Sequence, residues 1–264
     1  MGIRDRAYHA CNAPMNSAGG LCDVAWVHVD LGNPGGRWDW LRQFAKDLTC
    51  RSHVSGRFYW SDPDYLQVGQ GTMDETRVRM AMMALSGGPA FICDRLPELP
   101  EERLALIPKC LPSYGPTARP LDLWDRDEYP RVWHLPVETA WGNWHVLGLF
   151  NLDEQPGRID LDLDRLGLQR DKTYVVYDFF ADKLLGEAVC GDEMEVVLRF
   201  PVPRTSVRVI RITEKLDHPF VCSTDMHITQ GGVELPQVNW DAATMTLRGA
   251  AKRARGMEGN VVVY

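Results

Sequence analysis

Apolar positions in the first 116 residues alternate between two periods. The segment 21–31 is rich in valine and tryptophan and reads as a strand, which Asn33-Pro34-Gly35-Gly36 breaks. Trp38, Leu41, Ala45 and Leu48 then recur at helical spacing. Segment 57–61 reads as a second short strand, Asp74 as the N-cap of a helix over 75–86, and Gly87-Gly88-Pro89 as its stop. Residues 90–93 make a third strand, and Pro100-Glu101-Glu102 opens another helix with proline and acids at its positive end. Strand followed by helix in this way predicts parallel β/α units.

Beyond Tyr114-Gly115-Pro116 and Pro120 only the strand pattern persists. Runs at 132–137, 144–152, 158–163, 173–180, 193–200 and 206–213 are β-branched or aromatic, and Ile159-Asp160-Leu161-Asp162-Leu163 alternates strictly. Six strands with short turns predict an antiparallel β-sandwich over 117–213. The rest, 214–264, is again β-like and stops on Val261-Val262-Val263-Tyr264 without a closing turn, which reads as an incomplete β segment. The fold class is therefore α/β plus all-β, with no fixed-period repeat.

Composition narrows the function classes. With 264 residues, 45% apolar and 25% charged, the chain matches ordinary globular domains and not a disordered segment. It is too short for a (β/α)₈ barrel of roughly 250 residues plus anything else. A net charge of −7, with the one dense basic run at 252–255, argues against a nucleic-acid partner. Apolar stretches such as 90–93 fall far short of the ~20 residues that cross a bilayer, so no membrane partner is expected. Met1-Gly-Ile-Arg-Asp-Arg has no apolar stretch of a secretion signal, and Arg6 stands where myristoylation wants a hydroxyl. Seven scattered cysteines, never as Cys-x-x-Cys, read as free thiols, which favours a cytoplasmic location over a secreted one. Neither a metal nor a cofactor is expected: there is no Gly-x-Gly-x-x-Gly, phosphate loop or calcium-loop spacing.

Candidate chemistry gathers after the predicted strands. Tyr59-Trp60-Ser61-Asp62-Pro63-Asp64-Tyr65 puts two carboxylates among three aromatics just after a strand, where β/α proteins build sites. An aromatic face stacks on the C–H face of a sugar, and a carboxylate accepts from neighbouring hydroxyls; the same Asp-Pro-Asp also suits a plain capped turn. Asp30 ends the run 23–30 and supplies another acid at a strand end. Glycoside hydrolysis needs two converging carboxyl groups, one to protonate the leaving oxygen and one to attack or to activate water.

These residues carry a resemblance. Cys11-Asn12-Ala13-Pro14-Met15, Ala18, Gly19, Asp23 and Asp30-Leu31 resemble the Cys-Gly-x-Pro-Leu … Asp-x-x-Arg-Ile-Gly-x-Asp-Val stretch of α-galactosidase-type glycoside hydrolases, families 27 and 36. Trp60-Ser61-Asp62-Pro63-Asp64-Tyr65-Leu66 with Val68-Gly69 resembles their Trp-Asn-Asp-Pro-Asp-Met-Leu … Gly signature, and Cys93-Asp94-Arg95-Leu96 stands in the place of their Asp-Asp-Leu. The resemblance spans nearly the whole chain. It implies the C-terminal part of a TIM barrel over 1–116, a sandwich over 117–213, and a retaining mechanism without a cofactor. Asp30 falls on the acid/base, with Asp23 as a rival register, and Asp64 falls on a ligand of the sugar hydroxyls. Cys11 falls near the sugar, Tyr65 takes the family's methionine place, and Trp26 and His28 replace an arginine and a glycine.

The family's nucleophile stands on a Lys-x-Asp strand upstream of the Cys-Gly-x-Pro stretch, and nothing in residues 1–10 resembles it. The expectation is a fragment of a hydrolase acting on α-galactosides or related α-glycosides, holding the acid/base without the nucleophile and inactive alone. Two other readings stay open: a non-catalytic carbohydrate-binding or interaction protein with a vestigial barrel, and an unstable product of an incomplete reading frame.

Overall fold

The structure is a computed structural model that describes residues 6–11, 14–26, 38–125, 127–190 and 197–264. The chain divides into two compact units, Met1–Pro130 and Arg131–Tyr264. Asp30 and His28 lie outside the described residues.

The first unit runs β1 (His9–Cys11), α1 (Met15–Ala18), β2 (Val24–Trp26), α2 (Trp38–Cys50), β3 (Trp60–Ser61), β4 (Tyr65–Leu66), α3 (Met73–Ser86), β5 (Phe91–Ile92), α4 (Glu101–Leu104) and β6 (Arg119–Pro120). β1, β2 and β3 form one parallel sheet, with Cys11 opposite Trp26 and Ala25 opposite Ser61; β4 and β5 pair in parallel as well. Helix α2 buries Leu41, Phe44, Ala45 and Leu48, an i, i+3, i+4, i+7 stripe, and each large side chain there contributes about 1.5–3 kcal/mol.

Helix α3 is buried almost all round from Thr76 to Ser86, so its sequence has no single apolar face. Its N-cap is Thr72, not Asp74. The Glu75 N–H donates to the Thr72 hydroxyl (3.2 Å) while the Thr72 N–H donates to the Glu75 carboxylate (2.6 Å), a reciprocal capping box. Asp74 sits two residues further in and pairs with Arg77 at 3.2 Å. After α3 the chain presses on β3: a Cβ at Gly88 would lie 1.9 Å from the Ser61 carbonyl oxygen, so only glycine fits. The segment 57–61 is strand only at its end, because the Arg57 and Phe58 N–H groups close a turn on the Val54 carbonyl.

The second unit runs β7 (Val132–Thr139), β8 (Gly142–Asn151), β9 (Gly157–Asp162), β10 (Thr173–Asp178), β11 (Lys183–Val189), β12 (Val197–Val202), β13 (Ser206–Glu214), β14 (Val221–Thr224), β15 (Gln237–Asp241), β16 (Thr246–Ala250) and β17 (Val261–Val263). Its main ladder has the order β11-β10-β13-β8-β7, antiparallel throughout. β9 pairs β12, β14 pairs β17 and β15 pairs β16.

In β9, Ile159 and Leu161 are buried while Arg158 and Asp160 pair on the outer face at 2.8 Å, as the strict alternation predicts. β11 is absent from the sequence reading because Lys-Leu-Leu-Gly-Glu-Ala-Val lacks alternation and holds helix formers. It is an exposed edge strand, paired across a bulge at Val176/Tyr177.

β13 is covered on both faces: Val209, Ile210, Arg211 and Ile212 are all buried. Burial pushes the Arg211 guanidinium down to about 9. It donates to the carbonyls of Gln230 and Val221 (2.8 Å to the latter) and lies 4.0 Å from the centre of the Trp144 ring.

Candidate active site

The parallel register in the first unit aligns the C-terminal ends of three strands. Cys11 ends β1, Trp26 ends β2 directly opposite it, and Asp62 follows β3, its N–H donating to the Ala25 carbonyl at 2.9 Å. In β/α folds this end of the sheet carries the reactive groups. Cys11 is exposed there and Trp26 is half-buried.

Asp62 is the buried centre of the arrangement, 4% exposed. One carboxylate oxygen lies 2.8 Å from His9 Nε2, and the other accepts the Asp64 N–H at 2.8 Å. That second bond holds Asp64 at φ 65°, a left-handed conformation that aspartate tolerates when its amide is tied back to a side chain. Asp62 therefore fixes where the half-buried Asp64 stands. The His9 ring also lies parallel to Phe91 of β5, with centres 5.9 Å apart.

Further groups lie after β5. Burial pushes the Cys93 thiol up, and the carboxylates of Asp64 and Asp94 push it further, so Cys93 shares the neighbourhood of Asp64. Asp94 accepts the N–H groups of Val68 (2.7 Å) and Gly69 (3.0 Å), which fixes the turn after β4. Tyr65 opens β4 half-buried. Burial lowers the Arg79 guanidinium of α3, and Glu75 and Tyr65 partly offset that.

Asp23 stands at the other end of its strand. It precedes β2 and its carboxylate accepts the Tyr8 N–H at 2.8 Å, tying the starts of β1 and β2 together. The arrangement supplies a carboxylate on a tied-back turn, a histidine braced by a second carboxylate, and thiol and indole groups on neighbouring strand ends. Such a set can grip a polyhydroxylated ligand and place an acid against it. Asp62 is one of the two carboxylates of the Asp-Pro-Asp turn and Cys93 stands in a motif residue's place, but neither has a role in the sequence-predicted site. The sequence reading does not single out His9; its one sequence signal is that it shares a strand face with Cys11 at i, i+2.

No protein-family model and no curated protein matches the chain by sequence. Solved structures match in fold. A β-L-arabinopyranosidase of glycoside hydrolase family 27 from Geobacillus stearothermophilus superposes with a TM-score of 0.63 at 17% identity, over 78% of this chain and 49% of its own. α-Galactosidase I from Mortierella vinacea gives 0.62 at 16% identity, over 79% and 58%. The α-galactosidase of Saccharomyces cerevisiae with raffinose gives 0.54 at 15% identity, over 74% and 60%. The likeness is one of fold, and the chain spans about half the length of these enzymes.

Proposed function

We propose that this chain is the C-terminal portion of an α-galactosidase-type retaining glycoside hydrolase: the closing β/α units of its barrel followed by its β-sandwich. The observation that carries this reading is the alignment of Cys11, Trp26, Asp62 and Asp64 at one end of β1–β3. It occurs in a chain whose fold likeness is to family 27 enzymes. One neighbour is complexed with arabinose and another with raffinose, which supports a carbohydrate ligand.

In this reading Asp30 is the acid/base, protonating the leaving oxygen and then taking a proton from water. Asp64, aimed by Asp62, accepts from sugar hydroxyls, and Cys11, Trp26 and Tyr65 contribute contact surface. Trp26 supplies an aromatic face where the family's arginine would donate paired hydrogen bonds, so recognition of the sugar shifts from charge to stacking. The position of Asp23, with its carboxylate tying the strand starts, supports Asp30 over Asp23. The nucleophile belongs to the part of the enzyme that this chain does not span.

Hydrolysis of an aryl α-galactoside tests the assignment. The chain alone is expected to be inactive; joined to the preceding barrel strands it is expected to hydrolyse the substrate, and Asp30→Asn to lower the rate about 10²–10⁴-fold. Equal rates with and without that substitution would refute the acid/base role.

A further inference from the structure

The second unit contains a cleft of about 160 Å³ formed by the start of β8, the loop between β13 and β14, and the β15–β16 hairpin. Its walls are aromatic and held in place. The Trp141 indole N–H donates to the Leu235 carbonyl (2.7 Å) and that of Trp144 to the Thr229 carbonyl (2.8 Å), with ring centres 4.8 Å apart. Both rings lean on Gly231, at φ 122°, where a Cβ would come within 3.2 Å of Trp141. Trp240 stands across from them, with the His218 ring stacked on it at 5.1 Å and 2° from parallel. Trp141 and Trp240 are half-buried and both line the cleft.

Among the described residues, two charged groups line the cleft. Arg211 donates to two carbonyls and lies on the Trp144 face, which leaves its buried Nε without a partner, and Glu214 is held by Lys172 at 2.6 Å. Arg211 and Glu214 offset each other in charge, so neither a cation nor an anion is favoured and a neutral ligand fits. Polar groups remain at the rim. Asn143 is exposed, and His218 Nδ1 lies 2.9 Å from the Pro219 carbonyl oxygen. The volume is well below the ~300–1,000 Å³ of sites for drug-sized molecules and matches a single ring. Flat indole surfaces with hydrogen-bonding groups at their edge suit a pyranose, whose ring presents C–H groups on a face and hydroxyls on its rim.

We propose that this cleft is a carbohydrate-binding subsite that takes one neutral pyranose unit of an oligosaccharide, stacked against Trp141 and Trp240. It is independent of the strand-end site in the first unit and of the hydrolase reading.

Titration calorimetry of the full chain with raffinose as the probe tests it. Saturable millimolar binding is expected; Trp240→Ala should weaken it at least tenfold, Trp240→Phe should retain most of it, and Asn143→Ala should cost a few-fold. Leu247→Trp fills the cleft without removing an aromatic wall and should abolish binding, with circular dichroism reporting that each variant keeps its fold. Arg158→Ala, on the outer face of β9, should leave this binding unchanged. Absence of saturable binding would overturn the proposal. So would undiminished affinity in folded Trp240→Ala and Leu247→Trp.

Discussion

The two units bury their chains differently. In the second, strands reach ten residues, β13 is covered on both faces, and Leu135, Val146, Leu147, Leu149, Val209 and Ile210 are fully buried. In the first, described strands are two or three residues long, and Tyr8, Phe58, Trp60, Phe91 and Trp124 stand exposed, Trp124 at 92%. Among the described residues the second unit also exposes large apolar side chains, but these are mainly aliphatic, such as Leu184, Val189 and Met245, whereas those of the first are mainly aromatic. The long, doubly covered strands belong to the β-rich unit, while the candidate chemistry stands on the short strand ends of the other.

Arg211→Ala removes a buried guanidinium, its bonds to two carbonyls and its stacking on Trp144, and should destabilise the second unit by about 3–5 kcal/mol in chemical denaturation. Gly88→Ala drives a methyl group into the Ser61 carbonyl and should cost the first unit about 1–3 kcal/mol or more. Hydrogen exchange would show the loss confined to the first unit's amides. Thr72→Ala breaks the capping box of α3 and should cost about 1 kcal/mol.

Acid should act on the second unit through a histidine pair. His134 Nε2 lies 2.8 Å from His145 Nδ1, and burial lowers the His145 pKa. Below the unfolded value of about 6.5 the unfolded chain binds the proton more readily than the folded one. Stability from this group is thus fully present above pH ~6.5 and is lost as pH falls below it. His145→Gln should flatten that dependence in denaturation midpoints measured between pH 7.5 and 5. The smallest effect is expected at the exposed Arg158–Asp160 pair, where Arg158→Ala should change stability by well under about 1 kcal/mol.

The parts legible in the sequence are those set by local pattern. The α2 stripe and the alternation of β9 follow from periodicity alone, and Val261-Val262-Val263 forms β17 against β14. Edge strand β11 escapes because an exposed edge needs no alternating core face. Thr72 caps α3 in place of Asp74 because Glu75 can reach back only to a cap three residues earlier.

At the candidate site, Asp64 and Cys11 can be read from motif residues, whereas the His9–Asp62 pair spans 53 positions of sequence and exists only through the parallel register. Cys93 joins Asp64 because β5 pairs with β4, a long-range fact that no local spacing encodes. The aromatic cleft is hidden for the same reason, since Trp141 and Trp240 meet through a loop and a hairpin nearly a hundred residues apart.

The central claim is that this chain carries the acid/base carboxylate of a retaining α-glycosidase. The most direct measurement compares two aryl α-galactosides, one with a good and one with a poor leaving group, on the chain joined to the preceding barrel strands, with and without Asp30→Asn. An acid that protonates the leaving oxygen matters most where the leaving group is poor. The account predicts a loss of at least about 100-fold on the poor leaving group and a much smaller loss on the good one. Equal losses on both substrates, or none, would contradict it.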